Sequence, residues 1–253
     1  MFNQGNSFFR NMPPVTKNLI IINFIVWLAM LILPQRTGID FIKYGGLHYF
    51  TAEDFNPAQL VTYMFMHSTD SIAHLFFNMF TLFMFGLTLE RVLGSKRYLF
   101  YYLSTGIGAA LVQELVWGLT LGDMTVTALA RLNGIATSQA KEILALPEFA
   151  SQAAEFSSMV ANSLVTIGAS GAVFGILLAF GMIFPNRPLY LMFIPVPIKA
   201  KWMVLGYGVI ELFFGVSGTM SSVAHFAHLG GMIFGFLMIF YWKRNGTIHG
   251  TYY

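Results

Sequence analysis

Apolar residues along this chain gather into six stretches of membrane-entering length, separated by polar, basic or proline-bearing breaks. The first runs from Asn18 to Leu33 and stops at Pro34. The second, Ile72 to Leu89, carries His74 and Asn78 and is followed by Arg91, Lys96 and Arg97. The third, Tyr98 to Leu121, contains Gln113 and Glu114. The fourth runs from Gly168 to Phe184 and ends at Pro185-Asn186-Arg187-Pro188. Pro195-Val196-Pro197 breaks the chain before a fifth stretch, Trp202 to Val216. The sixth, Val223 to Trp242, is closed by Lys243-Arg244. The pattern predicts an all-α polytopic membrane protein: a six-helix domain over residues 18–244 with polar tails at 1–17 and 245–253.

Two segments stand outside that pattern. Residues 35–66 form a mixed loop punctuated by Phe41, Tyr44, Tyr49, Phe50 and Phe55, as suits a segment lying partly in the membrane interface. Within it, Asn56-Pro57 reads as a cap and first-turn proline opening a helix from Ala58 to Met66. Residues 122–163 hold Asp123, Arg131, Lys141, Glu142, Glu148 and Glu155, so they cannot form a span and read as an outer-side insertion. Phe149, Ala153, Phe156 and Val160 recur there at helical spacing, predicting an amphipathic helix against the membrane or the bundle.

Composition agrees with the pattern. The 253 residues are 56% hydrophobic and 10% charged, where soluble domains carry about 25% charged residues. A net charge of +3 does not indicate nucleic-acid binding, because the basic residues are dispersed beside apolar segments. They act instead as topological markers. With six spans, ten basic residues fall on the side of the termini (Arg10, Lys17, Arg91, Lys96, Arg97, Arg187, Lys199, Lys201, Lys243, Arg244) and four on the other (Arg36, Lys43, Arg131, Lys141). That asymmetry predicts cytoplasmic termini. The first apolar run begins only near Leu19, after Pro13-Pro14, and no small-x-small site follows it, so it reads as a retained anchor in a bacterial-type plasma membrane. Cysteine is absent, which excludes disulfides, thiol catalysis and cysteine-ligated metals.

Polar groups within spans are costly and point to function by default. The second, fourth and sixth spans run in the same direction, and His74, Asn78, Ser170 and His228 all lie within the first two turns of their spans. They therefore share one depth near the outer boundary. Ser170 alone has two readings, a helix cap or a nucleophile. Glycines at 171 and 175, and at 231 and 235 on the His228 face, let the fourth and sixth helices approach closely, with Gly168 just before Ser170. That approach would bring the imidazole to the hydroxyl as a general base. With Glu90 at the inner end and Glu114 and Glu211 on other helices, the expectation is a Ser170–His228 dyad without an acid. His74 and Asn78, at i and i+4, can donate toward an oxyanion together with the Ser170 N–H.

Gly168-Ala169-Ser170-Gly171, His74-x-x-x-Asn78 and Ala227-His228-x-x-Gly231-x-x-x-Gly235 resemble the signature of the rhomboid intramembrane serine proteases. Met66-His67, Glu90-Arg91-Val92-Leu93-Gly94 and Asn56-Pro57-Ala58-Gln59-Leu60-Val61-Thr62 resemble that family's flanking segments. The resemblance implies a six-helix rhomboid-like bundle, a Ser170–His228 dyad assisted by His74 and Asn78, no cofactor, and transmembrane segments of other membrane proteins as substrates. The sequence departs from compact members of the family in its long insertion at 122–163, and from some members in lacking a Trp-Arg pair in the first loop.

Other classes remain to be weighed. His225-x-x-His228 with His74 could form a three-histidine metal site, but no His-Glu-x-x-His pattern accompanies it. A transporter would use Glu114 and Glu211 as an ion path, but no inverted repeat is visible. A catalytically inactive relative that only binds membrane helices would be expected to lack one of the four site residues. His225 reads as lining the cavity or packing beside the base, and His67 as anchoring a loop.

Overall fold

The computed structural model describes residues 11–191, 194–218 and 224–248, a helical bundle with two small antiparallel strand pairs. In chain order the elements begin with α1 (Pro14–Ile32), α2 (Pro34–Thr37), α3 (Phe41–Gly45) and β1 (Leu47–His48). Next come α4 (Gln59–Thr62), which runs into a 3-10 turn at Tyr63–Phe65, and then α5 (Ile72–Leu93) and α6 (Ser95–Asn133). An arm follows, formed by α7 (Thr137–Ala145) and α8 (Ala150–Ser163), and leads through β2 (Val165–Thr166) to α9 (Ser170–Ile183). The hairpin β3 (Pro188–Leu191) and β4 (Ile194–Lys199) connects to α10 (Ala200–Ser217), and α11 (His225–Arg244) completes the bundle. Val223, the expected start of the sixth span, and the chain ends 1–10 and 249–253 lie outside the described residues.

Among the described residues, five helices are long and apolar enough to cross a membrane: α1, α5, α6, α10 and α11. The expected fourth span is different. It forms the 14-residue α9, about 21 Å long against a hydrocarbon core of about 30 Å. Gly168 and Ala169 precede the helix rather than belonging to it. Ten of its residues are buried, and it is packed by α5, α6, α10 and α11. A helix so enclosed need not match the bilayer, because its neighbours supply its surroundings.

The third span also departs from expectation. It does not end at Leu121 but continues as one helix to Asn133, 39 residues and about 58 Å long. Residues 122–133 offer good helix formers and no proline, and Asp123 and Arg131 are tolerated once the helix has left the hydrocarbon. Gly134, in the left-handed conformation at φ 64°, ends it. The expected amphipathic helix around residues 149–160 corresponds to α8, whose Ala161 is buried. The expected helix Ala58–Met66 is divided between α4 and the 3-10 turn.

The peripheral helices turn apolar side chains outward: Ile21, Ile22, Phe24 and Ile25 on α1, and Phe76, Phe77 and Phe80 on α5, are exposed. Their buried stripes contain the polar residues instead, Thr16 and Asn23 on α1 and Asn78 and Glu90 on α5. That inversion is what a lipid solvent demands, since burial gains nothing for an aliphatic side chain already in hydrocarbon. Close backbone approach does more. A Cβ on Gly231 would collide with the Gly171 carbonyl, and one on Gly235 would stand 3.3 Å from the Gly175 Cα. Glycine at these positions leaves the room in which α9 and α11 lie against each other.

The first loop is tied down at both ends of the site. Buried Gln59 accepts the His48 N–H at 3.2 Å and donates Nε2 to the Asp54 carbonyl at 2.8 Å. β1 pairs with β2, with Leu47 opposite Thr166 and His48 opposite Val165. This short ladder anchors the chain a few residues before Ser170. Glu114 Oε2 accepts the Phe50 N–H at 2.9 Å and fixes the same loop to α6.

Candidate active site

Ser170 is the first residue of α9, and Ala169 holds the cap position without a side-chain cap. Its hydroxyl is therefore not spent on the helix end. Ser170 Oγ lies 2.7 Å from Nε2 of His228, in the first turn of α11. The first N–H groups of α9, that of Ser170 included, have no carbonyl one turn earlier in the helix.

The loop before Ser170 is fixed by two contacts. The Gly168 N–H donates to the Tyr63 carbonyl at 2.9 Å, and the Ala169 N–H approaches Nε2 of His67 at 3.5 Å. Gly168 itself has φ 135°, a conformation that favours glycine. A side chain there would also stand 2.8 Å from His74 Nε2 and 3.6 Å from Ser170 Oγ. Glycine thus leaves open the space that the serine and the imidazole both border.

His74 Nδ1 accepts the Ser68 N–H at 3.3 Å, which leaves Nε2 to carry the proton and donate into that space. Asn78 is on the same face of α5 and buried, but its Nδ2 donates to the His74 carbonyl at 2.9 Å. Only its second N–H remains for another acceptor. Buried His67 meets His74 edge to face at 5.0 Å between ring centroids. His67 lies in the loop before α5, and burial, reinforced by the nearby His74, pulls its pKa from 6.5 down to about 3. It is a neutral acceptor at physiological pH.

Two features at His228 were not anticipated. Phe174, one turn below Ser170, stacks on the imidazole with centroids 4.3 Å apart and planes within 5°. This fixes the ring's plane. The second feature corrects the expectation that no acid reaches His228. Glu211 Oε2 lies 3.0 Å from His228 Nδ1 and 2.6 Å from His225 Nδ1. The shorter contact is a hydrogen bond; the longer one is at ion-pair distance but off the line a hydrogen bond requires. All three side chains are nearly buried. The expectation failed because it used helix membership alone. Glu211 is near the end of α10 and His225 opens α11, so the depth argument that joined Ser170 to His228 would have joined Glu211 to both histidines.

The three-histidine arrangement does not form either. Glu211 stands between His225 and His228, with its oxygen and the two Nδ1 atoms within 4.8 Å of one another, while His74 borders Gly168 and Ser170 instead. The carboxylate and the imidazoles partner each other.

Fold and site together define a multi-pass integral membrane protein with a serine–histidine pair inside its helical bundle. The Rhomboid domain matches residues 55–245, most of the chain, and the protein belongs to the rhomboid family, whose members are in general intramembrane serine proteases. Comparison with curated proteins gives no match.

Proposed function

We propose that this protein is a serine endopeptidase that hydrolyses a peptide bond in or beside a transmembrane helix of another membrane protein, with Ser170 as nucleophile and His228 as general base. The observation that carries the proposal is the 2.7 Å contact between Ser170 Oγ and His228 Nε2. A serine hydroxyl is a weak nucleophile until a base takes its proton, and a neutral imidazole does so effectively near pH 7.

In the first step Ser170 Oγ bonds to the scissile carbonyl carbon while its proton passes to His228 Nε2. The C=O π electrons move onto the oxygen. The Ser170 N–H, His74 Nε2–H and the second Asn78 N–H are the donors for that oxyanion, and the open space at Gly168 gives it room. The oxyanion then re-forms the carbonyl, the C–N bond breaks, and His228 gives its proton to the leaving amine. Water, deprotonated by the same imidazole, cleaves the acyl ester and restores Ser170. No cofactor is called for.

The substrate partners are membrane-protein helices presented within the bilayer. The ten-to-four split of basic residues supports cytoplasmic termini, with the site opening toward the outer face, and the membrane is taken as a bacterial-type plasma membrane. The membrane domain is taken as residues 18–244, a six-helix rhomboid-like bundle that carries residues 122–163 as an outer-side insertion between its third and fourth spans.

The test is cleavage of a single-span substrate by the full chain in proteoliposomes. Wild type cuts and Ser170→Ala does not; cleavage retained by Ser170→Ala would overturn the proposal.

A further inference from the structure

Resting on the protease reading above, we infer that Glu211 is a positioning residue for His228, converting the expected dyad into a Ser170–His228–Glu211 relay whose carboxylate is held in place by His225. Three observations carry this. Glu211 Oε2 is 3.0 Å from His228 Nδ1, on the opposite edge of the ring from the nitrogen that meets Ser170. The same oxygen accepts from His225 Nδ1 at 2.6 Å, so its position is fixed from a second residue of α11. The third is burial: the carboxylate and both imidazoles are withdrawn from solvent, where a charge without a partner is costly.

The chemistry follows from one oxygen serving two Nδ1 atoms. A carboxylate oxygen accepts but does not donate, so it selects the tautomer with hydrogen on Nδ1 of both rings. In His228 this leaves the Nε2 lone pair facing Ser170 Oγ, as a base requires. When the serine proton moves to Nε2, the imidazolium that forms stands beside a negative charge already in place. The proton on Nδ1 stays on His228, and Glu211 remains ionised throughout. In the free protein this 3.0 Å contact lacks hydrogen-bond alignment, and the ring or carboxylate turns to make the bond when substrate binds. Phe174 fixes the plane of the ring, and Glu211 fixes which edge of it carries the proton.

Among the described residues, the ionisable neighbours of His228 are few. α10 contributes Glu211, with Tyr207 reaching only Phe174; α11 itself contributes His225; and α5 contributes His74 across Ser170. α9 presents Ser170 and Phe174, and α6 presents Ala109 and Val112 at the adjoining Gly230. Glu211 is thus the anion in contact with the base.

The experiment measures kcat and KM for cleavage across pH with wild type, Ser170→Ala, Glu211→Gln and Glu211→Asp in the same proteoliposomes. It also records the histidine 15N spectrum of the full-length wild type. Glu211→Gln is expected to lower kcat by about 10²- to 10⁴-fold with KM little changed. The pH profile of the residual activity is also expected to change, because the imidazolium formed in the step loses its counter-charge. Glu211→Asp is expected to recover part of kcat, and the wild-type spectrum to show His228 protonated on Nδ1. A folded Glu211→Gln with wild-type kcat and pH profile would overturn the inference. So would a wild-type His228 protonated on Nε2, or wild-type activity lost to a chelator, which would mean that the cluster holds a cation. If Glu211→Gln does not fold, the wild-type spectrum still decides. Failure of the protease reading is distinct: wild type would not cut, or Ser170→Ala would cut equally, while the protonation of His228 would remain readable.

Discussion

Two carboxylates lie deep in this bundle, Glu90 near the end of α5 and Glu211 on α10, and they are held in opposite ways. Glu90 accepts four hydrogen bonds: Val15 N–H and Ser95 Oγ–H on Oε1, Thr16 N–H and Thr16 Oγ–H on Oε2. None of those donors changes charge near neutral pH, and two are free N–H groups at the start of α1. Glu90 is a helix cap made by another helix. Glu211 instead shares one oxygen between two imidazoles, side chains whose ring nitrogens can take up or hand on a proton during a reaction. Both are charges in costly surroundings, and by span position alone both would read as functional. The partners distinguish them. Donors that cannot titrate make a fixed joint, whereas titratable donors make a site able to move a proton.

The comparison can be broken most forcefully at the base. His228→Ala is expected to reduce kcat for substrate cleavage by about 10⁴-fold or more while leaving the fold intact. Asn78→Ala should cost less, about 10²-fold, because one oxyanion donor is lost and His74 with the Ser170 N–H remain. Single-turnover rates for the two variants measure the gap, and equal losses would mean that Asn78 has been given the wrong role.

Glu90→Ala sharpens the contrast from the structural side. It strands the α1 N–H groups and two hydroxyls, so stability should fall by about 2–4 kcal/mol, while turnover per folded molecule stays at the wild-type level. Equilibrium unfolding in mixed micelles, with activity measured below the transition, separates these outcomes. A catalytic defect in the folded variant would erase the distinction between the two carboxylates.

The smallest effect is expected at His67. Its pKa near 3 in the folded protein lies below the unfolded value of 6.5, so between those values the unfolded chain binds more protons. Stability is therefore complete above about pH 6.5 and declines as pH falls toward 3, by up to about 1.4 kcal/mol per pH unit from this residue. Unfolding measured at pH 7 and pH 5.5 should show that slope in wild type and a shallower one in His67→Gln. An unchanged slope would remove His67 from the acid response.

Much of this was legible in the sequence because lipid imposes simple rules. Apolar length marks helices, and a polar residue inside one marks the face that looks inward. Depth singles out Ser170, His74, Asn78 and His228 as candidates, and spacing singles out Gly171 with Gly231. The same depth comparison applied to the fifth span would have reached Glu211. Phe174 was hidden by its chemistry: one phenylalanine among 26 carries no signal until its ring is seen stacked on His228. The brevity of α9 and the extension of α6 were hidden for a different reason. Hydropathy reports what a residue can tolerate, and the ends of these two helices are set by the loop at Gly168 and the turn at Gly134.

The central claim is that Ser170 is a nucleophile activated by His228. Its most direct test is intact-mass analysis and peptide mapping of the purified protein after reaction with a fluorophosphonate, which phosphonylates an activated serine. One adduct on Ser170 in wild type, absent in Ser170→Ala and strongly slowed in His228→Ala, is the predicted result. An adduct formed equally well in Ser170→Ala, or located on another serine, would contradict it.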